Sequence, residues 1–412
     1  MPPRNPQNPS RASSSSERVH RLVVILALAA SVLSLHAQDL ATRLAGTDYH
    51  LSPDDAGALA IDADVLAFFK DNEFEGELAT GYTLPGFWAQ PRLSYQPLES
   101  VRIEAGFHAH VFNGANKFPC FAYHDIARWK GYQYQSGAHL LPFLRAQAQI
   151  GSVNLVLGNI YGGANHGIVE PLMNAEVNLT QDPEAGFQIL VDRPRYHLDA
   201  WINWQSFIFR TDDHREAFTV GISQRIALNG PQSRLAFYLP IDILLQHRGG
   251  EINEADMGTI ETLDNGALGL GLRWNAGGHV FNGLTAEALA LACWQQVGQQ
   301  WPFDNGFGGA LTLSGDLLSE LRVFATTVWA RNFCPLYGSP FFSTFSTETG
   351  RDFSHIFTTH VGAEWSHTFA PGYVVGAKLD TYLCSAGDEG LTNNFAFGLF
   401  LRCSPHFLLS KK

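Results

Sequence analysis

Beyond residue 37 the sequence has no run approaching twenty consecutive apolar residues, so no membrane-spanning helix is expected there. Charge is scarce too, with Asp, Glu, Lys and Arg making up 16% of the chain. The five cysteines, Cys120, Cys293, Cys334, Cys384 and Cys403, lie far apart and form no CxxC pair, which removes the common thiol-ligated metal and redox patterns. No GxSxG, HExxH, Walker or dinucleotide fingerprint occurs.

What is plentiful is glycine (39 residues) and aromatic side chains (29 Phe, 12 Tyr, 9 Trp). The N-terminus indicates the compartment. Residues 1–21 include Arg18 and Arg21, Leu22 to Leu33 form a short apolar run, and LHA-Q follows, the order of a secretory signal peptide cleaved after Ala37. An anchor helix is the competing reading, but the run falls in the ~10–14 residue class rather than the ~20 of a span. Without residues 1–37, which hold four Arg and one Glu, 23 basic and 38 acidic residues remain, a net −15 that argues against nucleic acid as a partner. A secreted chain of this composition with no helical span is either a soluble all-β protein or a membrane β-barrel.

Alternation favours the barrel. In YHLDAWINWQSFIF (196–209), Tyr196, Leu198, Ala200, Ile202, Trp204 and Ile208 share one face, while His197, Asp199, Trp201, Asn203 and Gln205 share the other. The pattern recurs, with Val101, Ile103, Ala105 and Phe107 against Arg102, Glu104 and His108, and Val361, Ala363 and Trp365 against His360, Gly362 and Glu364. Sixteen candidate strands follow, from 62–74 to 393–408, most of them ten to sixteen residues long. Strands of soluble domains are mostly ~5–6 residues, whereas a tilted membrane strand needs ~9–11. Their connectors tend to alternate between short turns and longer loops, which a sandwich does not require. Phe87, Trp88, Trp274, Trp294, Trp329, Tyr373 and Phe395 suit the two interfacial girdles.

The fold class expected is all-β, a transmembrane antiparallel up-and-down barrel of about sixteen strands, with fourteen or eighteen as neighbouring alternatives. It spans 62–412 after a periplasmic segment, 38–61, that is too short for a plug domain. Cys334 and Cys384 fall at the outer ends of neighbouring hairpins, where they either pair or act as small apolar filler.

Parity assigns Arg92, Arg102, Arg145, Arg225, Arg234, Arg273, Arg322 and Arg402 to the lumen. It places Glu104, Asp199, Asp242, Glu287, Glu364 and Asp380 there as well. Charge on the lipid face costs ~2–4 kcal/mol at mid-bilayer, which explains its confinement to one parity. The third outer loop, YGGANHGIVEPLMNAEVNLTQDPE (161–184), is long, opens with glycines and carries Glu170, Glu176 and Asp182.

In this strand and loop layout the chain resembles the sixteen-stranded porins. FFKDNEFEGELATGYTLPGFWAQPRLSYQP (68–97) also looks like the opening of uncharacterised barrels of Bacteroidota type. The chain departs from ordinary porins in ending LLSKK rather than in a terminal Phe. The porin resemblance implies that the third loop folds into the barrel, so that Glu170 and Asp182 face Arg92 and Arg145 across a constriction. The alternative is a solvated loop capping the mouth.

The function expected is passive diffusion of small hydrophilic solutes or ions. The alternatives are a barrel hydrolase with a Ser and His pair on its lipid-facing rim, or a non-conducting structural or adhesive barrel. No outward Ser beside an outward His is evident, so the chain is not expected to be an enzyme. His166, His124 with Asp125, and Asp212-Asp213-His214 have no convincing ligand spacing and read as surface polar loops, so neither a metal nor another cofactor is expected. The partners expected are outer-membrane lipid and lipopolysaccharide and small solutes, with a homotrimer as one open assembly state.

Overall fold

The computed structural model describes residues 39–114, 120–123, 137–207, 215–249, 260–278 and 280–411. The signal peptide expected over 1–37, His124 with Asp125, and Asp212-Asp213-His214 lie outside the described residues.

The strands are β1 (Ala58–Glu73), β2 (Tyr82–Leu98), β3 (Val101–Phe112), β4 (Gly137–Ile150), β5 (Val153–Asn159), β6 (Ala185–Arg193), β7 (Tyr196–Ser206), β8 (Ala217–Ala227) and β9 (Leu235–Arg248). They continue with β10 (Glu261–Asn275), β11 (Phe281–Val297), β12 (Asn305–Leu317), β13 (Leu321–Arg331), β14 (Ile356–Ala370), β15 (Tyr373–Ala386), β16 (Thr392–Cys403) and β17 (His406–Lys411). From β1 to β16 each strand pairs antiparallel with its sequence neighbours, and β1 closes the ring against β16 from Val65↔Cys403 to Glu73↔Phe395. β17 resumes the last stave after Ser404 and Pro405, against Ala58–Asp62, which makes a closed barrel of sixteen staves. Closure removes the unpaired edges that no lipid environment tolerates.

The two faces follow the alternation. On β1, Asp64, Leu66, Phe68, Lys70 and Asn72 point inward and are buried, while Ile61 and Phe69 point outward and are exposed. Leu140 and Leu144 on β4 and Leu311 and Leu313 on β12 extend the apolar outer wall. Phe87, Trp294, Trp329, Tyr373 and Phe395 are exposed on that wall, as a girdle requires. Trp88 differs from expectation: it faces the lumen, is buried, and donates from Nε1 to the Asn178 carbonyl at 3.1 Å.

The lumen holds chain rather than only side chains of the wall. The short helix α1 (Leu40–Ala45) packs Leu40 and Leu44 in one cluster with Leu66, Val374 and Phe400. Asp39 caps it, accepting from the Thr42 amide at 2.7 Å. The third outer loop enters as a 3-10 turn (Gly163–His166) and a one-turn helix α2 (Val177–Thr180). Its Val169, Leu172 and Val177 join Leu336, Tyr337, Phe341 and Phe342, from the loop before β14, in the main buried core. Cys334 and Cys384 are both thiols and do not pair; the Thr358 hydroxyl donates to Cys384 Sγ at 3.1 Å.

Candidate active site in the barrel lumen

The third loop is held in the lumen by its carboxylates. Glu176, at the start of α2, accepts from Lys70 Nζ and the Tyr82 hydroxyl, and from Asn72 Nδ2 at 3.3 Å. Lys70 and Asn72 are alternate residues of β1, so strand parity turns both to the same side. Glu170 meets His360 Nδ1 and accepts from the Thr326 hydroxyl at 2.5 Å. Burial opposes the charge on Glu170, yet the His360 imidazole and the Thr326 hydroxyl hold its carboxyl below the ordinary range.

His360 is the centre of the arrangement. Its Nε2 lies 2.8 Å from Asp380 Oδ1, its ring stacks on Tyr382 at 4.1 Å, and its β14 position is opposite Tyr382 in the register. Lys378 Nζ sits 3.3 Å from both Asp380 and Glu364. Lys70 and Lys378 both face Gly398 of β16 across the strands, which sets the two ammonium groups at one height on the wall. Below the loop a cavity of about 310 Å³ is lined by Glu170, His360, Lys378, Tyr382, Ser339, Arg225 and Arg322, among others. A narrower crevice of about 50 Å³ beside it is lined by Leu40, Leu44, Leu66 and Phe400.

A second imidazole stands at the root of the loop. His166 is fully buried, with Nδ1 2.7 Å from Asp199 and Nε2 3.1 Å from Glu184, and it stacks on Trp201 at 3.5 Å. Burial opposes its charge, but Glu184 and Asp199 outweigh that and raise the imidazole to about 9. Clamped by carboxylates at both nitrogens, it is a fixed cation that anchors the loop. The surface position expected of His166 is therefore incorrect: the loop folds inward, so a polar residue on it becomes internal.

The arginines expected along the lumen are mostly tied up. Arg92 bridges Asp64 at 2.8 Å and Glu104 at 2.7 Å, and Arg145 reaches Glu104 at 3.0 Å while stacking over Tyr161. Arg102 donates to the Tyr161 hydroxyl at 2.6 Å, Arg225 to Asp242 at 2.8 Å and Arg402 to Asp64 at 3.2 Å. Asp242 also accepts from the Val169 amide at 3.0 Å, another tether on the loop. Arg273 lies 3.8 Å from Asp316 and Arg322 lies 4.0 Å from Glu364, while Glu287 accepts from the Tyr238 hydroxyl at 2.8 Å. Arg234 precedes β9 in an exposed turn, outside the strands. The expected opposition of Glu170 to Arg92 and Arg145 is replaced by the Glu170–His360 contact. Asp182 instead lies 3.7 Å from His139 and borders a small cavity with Arg145. Lys70, Asn72, Tyr82, His360 and Lys378 were missed as site residues because each reads as one more inward polar position.

The fold and site define a class: a closed transmembrane barrel whose lumen carries a carboxylate–histidine–lysine cluster clamped by an inward-folded loop. Residues 51–412 match the model of the Lipid A 3′-O-deacylase-type family, and the chain belongs to that family. No curated protein matches it. Among solved structures it is similar to OccAB4 of Acinetobacter baumannii, with 8% identity, a TM-score of 0.48, and 86% of this chain and 100% of that one covered. It is also similar to OprD of Pseudomonas aeruginosa, with 10% identity, a TM-score of 0.47, and 87% and 98% covered. The family overturns two expectations, that the chain is a passive diffusion channel and that it is not an enzyme. Both came from reading a barrel of this size as a pore, and fold does not dictate function.

Proposed function

We propose that this chain is an outer-membrane barrel hydrolase that removes an ester-linked acyl chain, at the 3′-O position, from an anionic glycolipid of lipid A type. The observation that carries the reading is the Asp380–His360 pair facing the lumen cavity, with the Glu170 carboxylate on the imidazole nitrogen that Asp380 leaves available. A carboxylate that fixes one nitrogen of an imidazole orients the other for proton transfer. Family membership supports the same reading.

In this reading the third loop withdraws, Glu170 carries off the proton that His360 Nδ1 holds between the two carboxylates, and a water molecule takes the vacated place. His360 Nδ1 accepts a proton from that water as its oxygen attacks the acyl carbon. The oxyanion that develops is stabilised by the Lys378 ammonium in a site shielded from bulk solvent. Collapse breaks the bond to the sugar oxygen, which takes the proton back from His360. The products are a free fatty acid and a glycolipid hydroxyl. The apolar crevice formed by Leu40, Leu44, Leu66 and Phe400 offers the acyl chain a surface beside the reacting group.

The test is mass spectrometry of lipid A incubated in mixed micelles with the purified, folded chain. The expected result is loss of one acyl chain, slowed by about 10²–10⁴-fold in His360→Gln. Lipid A left intact by the folded wild-type chain would refute the proposal.

A further inference from the structure

Three histidines on another stretch of wall, β3 and β4, take no part in that chemistry. His108 and His110 are alternate residues of β3 and so share its inner face, and His139 is the cross-strand partner of His110 on β4. The ring centroids of His108 and His110 are 5.5 Å apart, and those of His110 and His139 are 6.0 Å apart. Asp182, from the third loop, brings a carboxylate oxygen to 3.7 Å from His139 Nδ1.

His108 and His110 are almost wholly buried, and among the described residues neither ring nitrogen of either has a hydrogen-bond partner. Four orphaned nitrogens in one patch are unusual, since buried polar atoms are nearly always paired. Two aromatic rings flank the pair: Trp88 lies beside His108, and Phe112 lies 4.5 Å from His110 between ring centroids. A cavity of about 80 Å³ adjoins, lined by His108, Asp182, Trp88 and Arg145, among others.

We propose that His108, His110, His139 and Asp182 form a binding site for a divalent transition-metal cation of the Zn²⁺ type. Three imidazoles and one carboxylate suit such an ion, and imidazoles held about 2 Å from a tetrahedral metal have centroids on the order of 5 Å apart. The observed separations are close to that value. Among the described residues no three ligating side chains yet converge on one point. Turning the His108 and His110 rings toward a common centre breaks no hydrogen bond, because they make none. The bound ion would tie the third loop, through Asp182, to the β3–β4 wall.

The test is calorimetric titration of the untagged, detergent-folded chain with Zn²⁺, and with Co²⁺ to record the visible spectrum of the bound ion. The expected result is one Zn²⁺ per chain and a tetrahedral, nitrogen-ligated Co²⁺ spectrum. Affinity should fall at least 10–100-fold in Asp182→Asn and in the double variant His108→Gln/His110→Gln. His50→Gln, at an exposed site, should leave it unchanged. Heat-shifted gel migration confirms that each variant is folded. The wild-type Co²⁺ spectrum gives a reading that does not depend on any variant. Absence of binding, an octahedral spectrum, or binding that survives in the folded double variant would overturn the proposal.

Discussion

Glu170 and His360 lie 190 positions apart in sequence, yet the loop carboxylate of one caps the ring nitrogen of the other inside the barrel. The contact has a chemical consequence, because a ring nitrogen that already donates its proton to a carboxylate cannot take another from water. Glu170 therefore acts as a gate on the proposed base. Glu170→Gln is expected to raise the deacylation rate by up to about tenfold, which corresponds to roughly 1.4 kcal/mol off the barrier. A fall in rate, measured as kcat on lipid A, would mean that Glu170 itself takes part in the chemistry.

The Lys70–Glu176 pair supports the loop in a different way. Both side chains are almost fully removed from solvent. Lys70→Met leaves the Glu176 charge, among the described residues, with the Asn72 and Tyr82 donors, and loss of one partner of a buried pair costs about 3–5 kcal/mol. Urea unfolding should register that loss. The double variant Lys70→Met/Glu176→Leu should recover most of it.

His166 makes a pH prediction. Its folded imidazole is raised to about 9 by Glu184 and Asp199, against an ordinary value of 6.5. A raised folded value stabilises the charged form, so the contribution is complete below pH 6.5 and is lost as pH rises through about 9. It amounts to a few kcal/mol at ~1.4 kcal/mol per unit. Thermal unfolding between pH 6 and 10 should show the decline, and His166→Gln should flatten it.

Gly221 is the complement to that imidazole. A Cβ there would collide with the Trp201 indole, which stacks on His166. Gly221→Ala is expected to cost about 1–3 kcal/mol through overpacking. It should also shift tryptophan fluorescence, because the indole must leave its place over the imidazole.

The barrel was legible because alternation has a simple cause: every second residue of β1, β7 or β14 meets lipid and the rest meet the lumen. The inward fold of the third loop was implied by resemblance to porins, and Glu170 and Glu176 were singled out on it. Their partners were not legible. His360, Lys70 and Lys378 carry no local signature, and their meeting with the loop depends on contacts across 100 to 200 residues of chain. His166 misled because a polar loop usually lies on the surface, and this one packs Val169, Leu172 and Val177 into a core. Trp88 misled for a related reason: an aromatic near a strand end suits a girdle, but even parity on β2 turns it inward.

The most direct test of hydrolysis in the lumen is to run the lipid A reaction in ¹⁸O-labelled water and locate the label by mass spectrometry. The account predicts one ¹⁸O in the carboxyl of each released fatty acid, an unlabelled sugar hydroxyl, and loss of the signal in His360→Gln. Label on the sugar, or labelled fatty acid released at an undiminished rate by folded His360→Gln, would contradict it.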